Sequence, residues 1–407
     1  MTFLTANGLN PETLDCHALL ETFICEMNRG LRGEGALPML PSGILLGNSH
    51  PRNVTIPAFD VGGTNTRATR VRFDDAGQAT FDALHRGRMP GTEGEVDKTT
   101  FYQQLSDALM PALKANERFG FCFSYPITEA GELLFWTKKV LAPDIPGRNV
   151  VNDLVEVLAE RGLPNISARI LNDTVAALLA IFARPDAMEA AGHVGFILGT
   201  GTNTAYAEIT DNIHKQPGLP AGKRMPINCE SGNFNSFPKS EFDLQYEAES
   251  GNGRSQWERS LGTIVLRRAA EEGLLPALRD TLMNRAFTHV ELNTFCAGEG
   301  EPCFTCPTAE AETVRALLRP LYERAAAFAA VNIAAAAICS ARANHQTSGK
   351  ILVNADGSTF WKTAAIPFAE RTKAHLDALL QRYGYTCEIF RVDEAPLLGA
   401  ALAAYCG

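Results

Sequence analysis

Asp60-Val-Gly-Gly-Thr-Asn-Thr-Arg67 sets a carboxylate two residues before a glycine pair, with hydroxyl, amide and guanidinium groups just beyond. Gly62 and Gly63 permit positive φ and close backbone approach, so successive amide N–H groups can converge on phosphate oxygens. Thr64 adds a hydroxyl donor, and Asn65 and Arg67 can steady the turn or the phosphates. Asp60 suits Mg2+, directly or through water, because magnesium takes few carboxylates and keeps waters and phosphate oxygens around it. A second tip, Gly199-Thr-Gly-Thr-Asn203, again offers amides and hydroxyls, with Thr200 and Thr202 flanking Gly201. Either segment alone reads as an ordinary glycine turn. Two of them, far apart in one chain, can grip a triphosphate from opposite sides.

Leu171-Asn-Asp-Thr174 lies between a strand-like and a helix-like run. Asp173 can there accept a proton from an alcohol as it attacks a phosphoryl group. The competing reading is helix capping by Asn172, Asp173 or Thr174. Residues suited to sugar hydroxyls are Ser124 in CFSYP, Thr137 and Lys138 in FWTKK, Asn203, Glu230 in NCESG and Glu258 in SQWERSLG. A polyol site must satisfy every hydroxyl, since a buried polar group without a partner is costly. Taken one at a time, each of these residues reads as a solvated loop residue. Cys296, Cys303 and Cys306 in FCAGEGEPCFTCP make a partial zinc pattern that lacks an obvious fourth ligand. Other cysteines, such as Cys122 and Cys339, sit in apolar runs, as reduced cytosolic thiols do.

These groups need elements to hold them. VTIPAFD and RATRVRF flank the first tip as strands, and VGFIL and TAYAEI flank the second. Because both turns lead into strands rather than helices, the Rossmann and Walker A contexts are excluded. Helical spacing marks 14–31, 98–115, 149–161, 257–285 and 309–344. FGFCFSY is a buried strand, KILVNADGS a strand and turn, EAPLLGAALAA a short helix, and 211–256 is turn-rich. The layout predicts a duplicated α/β unit with a phosphate hairpin in each half. A length of 407 residues leaves room for two domains. A net charge of −9 argues against nucleic acid or anionic lipid as partner. The N-terminus has no basic segment followed by an apolar one, so no signal peptide is expected. The apolar run 325–341 is short and Ala-rich with Asn332 near its middle, which predicts a helix buried between domains rather than a membrane span. A cytoplasmic protein is expected.

In order along the chain come EMNRGLRGEGALPMLPSG, FDVGGTNTR, FCFSYP, LFWTKK, ILNDTVAALLA, GFILGTGTN, INCESGNF, SQWERSLG, NADGSTFWK and LLGAALAA. With these blocks the chain resembles the hexokinase/glucokinase family over nearly its whole length. The resemblance implies an α/β fold of two RNase H-like domains, small and large, around a central cleft, as in actin-like ATPases. Residues 50–171 plus 396–407 would form the small domain, and 1–49 plus 172–395 the large one. It implies transfer of the γ-phosphoryl group of ATP to the 6-hydroxyl of a hexose, D-glucose foremost, with Mg2+. Asp173 would be the base, and Lys138 would offset charge on the moving phosphoryl group. Ser124, Thr137, Lys138, Asn172, Asp173, Asn203, Glu230 and Glu258 would contact the sugar. Asp60, Gly62, Gly63, Thr64, Asn65, Arg67, Thr200 and Gly201 would face the phosphates and Mg2+, and Asp356-Gly357-Ser358 would lie beside the nucleoside. The protein would be a monomer or homodimer.

The chain departs from the family at three places. Ser231 follows Glu230 where an aromatic is usual, Tyr125 follows Ser124 where Phe is commoner, and EAPLLGAALAA lacks a Ser/Gly-rich approach. Two alternatives are a ROK-type sugar kinase and a non-catalytic sugar-binding sensor. The first carries a Cys- and Gly-dense zinc motif that INCESGNF lacks; the second does not account for Asp173 and Lys138. A polymerising actin-like ATPase leaves the sugar-type segments unexplained.

Overall fold

The computed structural model describes residues 3–47, 50–128, 130–136, 139–199, 201–250 and 261–406. In chain order the strands are β1 (Leu40–Pro41), β2 (Val54–Val61), β3 (Asn65–Phe73), β4 (Ala79–Phe81), β5 (His85–Arg88) and β6 (Arg118–Phe123). There follow β7 (Ser167–Leu171), β8 (Gly192–Leu198), β9 (Thr202–Ile209), β10 (Arg224–Asn228), β11 (Gly349–Asp356) and β12 (Tyr385–Phe390). Two sheets result: β4-β3-β2-β6-β7, with β5 also on β3, and β1-β10-β9-β8-β11-β12.

The two sheets share one plan. A strand entering a glycine tip (β2, β8) pairs antiparallel with the strand leaving it (β3, β9). Its other edge pairs parallel with a crossover strand (β6, β11), which has a further parallel neighbour (β7, β12). The spatial order third, second, first, fourth, fifth therefore occurs twice, as the duplicated unit predicts. In β3, Thr69, Val71 and Phe73 face the core while Arg70 and Arg72 face outward, as the period of two requires. β2 is buried from Ile56 to Val61 because helices or strands cover both its faces.

Between the sheets lie two helices, Asp173–Ala180 and Ala395–Cys406, packed on each other. The first also covers β8, β9 and β11; the second covers β6, β2 and β7. Their spacing is set by missing side chains. A Cβ on Gly399 would lie 2.0 Å from the Ala176 carbonyl oxygen, and one on Gly120 of β6 would lie 1.8 Å from that of Ala400. A Cβ on Gly195 of β8 would lie 2.6 Å from the Thr174 carbonyl oxygen. Four layers thus touch backbone to backbone.

The apolar run around 325–341 belongs to one helix, Thr308–Ala343. It has the length and composition of a membrane span, but 94% of its most apolar window is buried within the protein. It packs on β8 and β9 and on the helices Cys16–Leu31 and Phe368–Gln381. It therefore covers one face of the second sheet and does not run between the sheets, as the sequence suggested. The turn-rich stretch 211–256 also holds β10 and the helix Glu241–Ser250, whose short apolar spacings its Gly, Pro and Asn residues conceal. All ten cysteines are free. Among the described residues no three His, Cys, Asp or Glu side chains converge as metal ligands, Cys296, Cys303 and Cys306 included.

Candidate active site

In parallel sheets, ligands gather beyond the carboxyl ends of the strands. Register across β2, β6 and β7 sets Asp60 beside Cys122, and Cys122 beside Leu171. Asp60, Ser124 and the pair Asn172-Asp173 thus leave the first sheet at one edge. The Ser124 N–H donates to the Val61 carbonyl at 3.1 Å, which holds it against the first tip. In the second sheet Asp356 of β11 lies beside Ile197 of β8, so Asp356-Gly357-Ser358 emerges next to the second tip.

The first tip closes with the Gly62 N–H donating to the Asn65 carbonyl at 3.0 Å. Neither Gly62 nor Gly63 adopts a positive φ, contrary to the conformational argument from sequence. What glycine provides here is bareness: a Cβ on Gly62 would meet only the Asn65 carbonyl oxygen, at 3.5 Å. The side chains of Thr64 and Asn65 are exposed on the tip, the Asn65 amide donating to the Thr64 hydroxyl at 3.1 Å.

Asp60 is buried, and Arg67 donates to its Oδ2 through Nε at 2.9 Å and Nη2 at 2.6 Å. Arg67 also pairs with Glu394, which precedes the last helix in a left-handed conformation, φ 51°. The guanidinium is thus committed to two carboxylates. Burial pushes the Asp60 carboxyl up, Arg67 draws it back, and the neighbouring charge of Asp173 raises it again. Cys122, wedged between the two acids, is pushed well up by burial and by both carboxylates, so it is an inert thiol.

Asn172 performs the capping: its Oδ1 accepts from the Thr174 N–H at 2.9 Å. Asp173, the first residue of the helix, is thereby released from that role. Half-buried, it accepts from the Thr174 hydroxyl at 3.3 Å. Since Thr174 rests on Gly195 of β8, Asp173 stands between the two sheets.

A cleft of about 240 Å³ opens beside it, lined among others by Ser42, Tyr125, Asn172, Lys215, Asn228 and Glu230. The Glu230 Oε1 accepts from Asn228 Nδ2 at 2.8 Å and from Asn203 Nδ2 at 3.3 Å. Glu230 takes φ 52°, a conformation disfavoured for a non-glycine residue, and Asn233 Nδ2 donates to its carbonyl at 2.9 Å. The Tyr125 hydroxyl donates to the Gly62 carbonyl at 3.3 Å, a bond that phenylalanine cannot make. It ties the wall of the cleft to the first tip.

A smaller apolar cavity of about 30 Å³ lies beside the second tip, lined among others by Leu198, Thr202, Gly262, His289, Tyr322 and Thr359. Gly357 has φ 108°, and a Cβ there would sit 2.3 Å from the Leu198 carbonyl oxygen, so only glycine fits. The Thr359 hydroxyl donates to the Gly199 carbonyl at 2.7 Å, and Asp356 pairs with Arg391 at 3.2 Å. The 356–359 turn is thereby fastened to the second tip. A Cβ on Gly201 would meet nothing within 4 Å.

Of the residues singled out in the sequence, Thr137, Lys138, Thr200 and Glu258 lie outside the described residues. Asp60, Arg67, Ser124, Asn172 and Asp173 are gathered at the first sheet's edge, and Asn203 joins Glu230 directly. Sequence reasoning missed Asn228, Glu394, His289 and Thr359. Asn228 ends its strand two residues before Glu230, and the left-handed turn at Glu230 brings the Glu230 carboxylate onto its amide. Glu394 carries no local signal, because its partner is 327 residues away.

A family profile described as Hexokinase matches residues 5–182, and a second with the same description matches 193–260 and 279–406. Hexokinase-1 of Saccharomyces cerevisiae is 28% identical over 304 residues, 66% of this chain and 60% of that protein. Hexokinase-1 of Spinacia oleracea is 33% identical over 303 residues, 66% of this chain and 59% of that protein. The matched region thus spans about three fifths of the length of these curated relatives. Among solved structures, hexokinase from Schistosoma mansoni, complexed with glucose, superposes with a TM-score of 0.77 at 23% identity, covering 98% of this chain and 97% of that one. A ROK hexokinase from Thermus thermophilus gives 0.53 at 16% identity, covering 86% and 98%. With the strand order repeated in both sheets, these likenesses establish the two-domain, actin-like ATPase fold.

Proposed function

The chain belongs to the hexokinase family, and from that premise we propose that it transfers the γ-phosphoryl group of ATP to the 6-hydroxyl of a hexose, D-glucose foremost. The observation that carries this reading is the placement of Asp173. It stands between the two sheets, next to the capping residue Asn172, with the buried Asp60 near enough to feel its charge and the amide- and carboxylate-lined cleft opening beside Asn172. An ionised carboxylate there can take the proton of the attacking hydroxyl.

In this reading Asn172, Asn203, Asn228 and Glu230 satisfy sugar hydroxyls, with Ser124 beside them. The bare tip at Gly62 and Gly63 with Thr64 and Asn65 faces the phosphates from the first sheet, and Gly201 faces them from the second. Thr137, Lys138, Thr200 and Glu258 keep the roles that the resemblance implies. The nucleoside lies beside Asp356-Gly357-Ser358. Residues 50–171 plus 396–407 form the small domain, and 1–49 plus 172–395 the large one; the packing of the last helix on β6, β2 and β7 supports that division. The protein acts in the cytoplasm as a monomer or homodimer.

The donor set suits magnesium. Asp60 is a single buried carboxylate, one of its oxygens held by Arg67, with Asp173 near enough to feel its charge. Magnesium asks for one or two carboxylates and fills its other positions with water and phosphate. Asp60 would hold it through water or phosphate oxygens, and the ion would neutralise charge on the phosphates. The remaining work falls to the chain: aligning the acceptor hydroxyl, presenting Asp173 as its base and excluding water.

The test is an ADP-release assay with Mg-ATP against glucose, mannose, fructose, galactose and glucosamine. Sugar-dependent turnover with at least one of them is the expected result. ADP release that ignores every sugar would overturn the reading, and tight sugar binding without turnover would make the protein a sensor.

A further inference from the structure

Behind the sugar cleft lies a set of buried polar side chains that the proposed mechanism does not use. Thr204, Ser231 and Asn332 are each 0–1% exposed, yet they come from β9, from the turn after Glu230 and from the middle of the long helix Thr308–Ala343. The Thr204 hydroxyl donates to Asn332 Oδ1 at 2.7 Å. Asn332 Nδ2 donates to Ser231 Oγ at 3.0 Å. Ser231 Oγ lies 3.1 Å from Thr204 Oγ1. A threonine hydroxyl has one proton, and Thr204 spends it on Asn332, so Ser231 must donate on the third side. The three bonds close into a ring in which each group donates once and accepts once. Such chains polarise one another and specify one arrangement.

The ring grips both donors and acceptors of the sugar cleft from behind. Ser231 follows Glu230, and Thr204 follows Asn203. The Asn203 Oδ1 also accepts from the N–H groups of Thr204 at 2.7 Å and Ser231 at 3.3 Å, while its Nδ2 reaches Glu230. Fixing Thr204 and Ser231 on Asn332 therefore fixes the distance between Asn203 and Glu230, and holds Glu230 in its left-handed conformation. An asparagine in the middle of the otherwise apolar run 325–339 of that helix needs such a reason. It pairs with the sequence's other oddity here, a small hydroxyl residue immediately after the glutamate.

We infer that Asn332 is a positioning residue for hexose binding, acting through Ser231 and Thr204 on Glu230 and Asn203. The inference rests on the assignment of Glu230 and Asn203 to the sugar. It predicts that opening the ring at any member loosens the hexose site, and that opening it at Ser231 or Thr204 leaves the nucleotide site intact.

The experiment compares steady-state kinetics of wild type, Glu230→Gln, Asn332→Ala, Ser231→Ala, Thr204→Val and Thr204→Ser. Each of the three ring-opening changes should raise the hexose KM about tenfold, the factor that corresponds to about 1.4 kcal/mol. Thr204→Ser keeps the hydroxyl and should stay within about twofold of wild type, because the bond it can make is unchanged. Because Asn332 also lines the apolar cavity, the ATP KM is read from Ser231→Ala and Thr204→Val, where it should stay constant. A purely structural role would lower the active fraction, and with it kcat, at unchanged KM. If Glu230→Gln raises the hexose KM and no folded ring variant does, the inference fails by itself. Should Glu230→Gln also leave KM unchanged, the sugar assignment beneath it has failed. Ser231→Ala removes a single oxygen, so it reports even where Asn332→Ala does not fold.

Discussion

The two glycine tips occupy equivalent places in two sheets of the same order, yet they are supported differently. The first is backed by charge: Asp60, Arg67 and Glu394 form a chain of ion pairs beneath it, and Asp173 adds a second carboxylate alongside. The second is backed mainly by neutral hydrogen bonds among Asn203, Asn228, Ser231, Thr204 and Asn332, with the Glu230 carboxylate accepting at the rim and the Asp356–Arg391 pair on its other side. Where the first sheet has Asp60 ahead of its tip, the second has Ile197 and Leu198. A duplicated scaffold thus carries its ion pairs beneath one tip and a network of mainly neutral hydrogen bonds beside the other, and in the proposed reading the first serves phosphoryl transfer and the second helps to hold the acceptor.

That division can be broken most forcefully at Asp173. Asp173→Asn should lower kcat by about 10²–10⁴, the usual loss when a general base is removed, with hexose KM little changed. Glu230→Gln should do the converse, weakening hexose KM by about tenfold or more as a charged acceptor is lost. Coupled-assay kinetics on both variants decide the matter, and equal kcat losses would erase the distinction.

Next in size is the contact between the halves. Gly399→Val places a branched side chain against a carbonyl that cannot retreat, and should cost about 3 kcal/mol, the upper end of overpacking. Urea unfolding measures this, with Gly94→Ala, where a Cβ meets nothing within 4 Å, as the silent control.

Acid should strike the second sheet. His193 of β8 is buried and neutral, its Nε2 bonded to the Ala187 carbonyl at 2.7 Å, and burial pulls its pKa down to about 4. The unfolded chain takes up this proton near pH 6.5. Stability from this group is therefore full above that pH and is lost as pH falls toward 4, by about 3 kcal/mol in all. His193→Gln should flatten that part of the profile of Tm against pH; a profile unchanged by the substitution would remove His193 from the account. The smallest effect is expected from Tyr125→Phe. Losing the hydroxyl on the Gly62 carbonyl should raise the ATP KM by no more than about fivefold, the worth of one neutral hydrogen bond.

Much of this was legible in the sequence because it rested on neighbours in the chain. The two strand–tip–strand units, the helix after Asn172 and the core alternation of Thr69, Val71 and Phe73 are all short-range patterns. At the first tip the sequence offers glycine two reasons, a positive φ and close backbone approach; Gly62 takes no positive φ, and what it supplies is an open surface. The capping contest at 172–174 could not be decided without coordinates, because all three side chains suit the role. Partners remote in sequence were hidden altogether. Nothing near Asn332 announces that it faces Thr204 and Ser231, and nothing in the residues after β12 announces that Glu394 reaches Arg67. The long apolar helix was recognised as buried, but its place on one sheet face depends on where Cys16–Leu31 and Phe368–Gln381 come to rest.

The glycine contacts through the middle of the molecule limit how its two halves can move. Where peptide planes press directly on one another, as at Gly120, Gly399 and Gly195, no rotamer change can absorb a compression or follow a separation. A motion that keeps these contacts is a turning of one half on the other at Gly399 and Ala176, like two plates on a flat bearing, with the spacing at the centre held constant. The amides flanking Ala176 and Ala400 would be the still point of that rotation, and the displacement of any residue would grow with its distance from them.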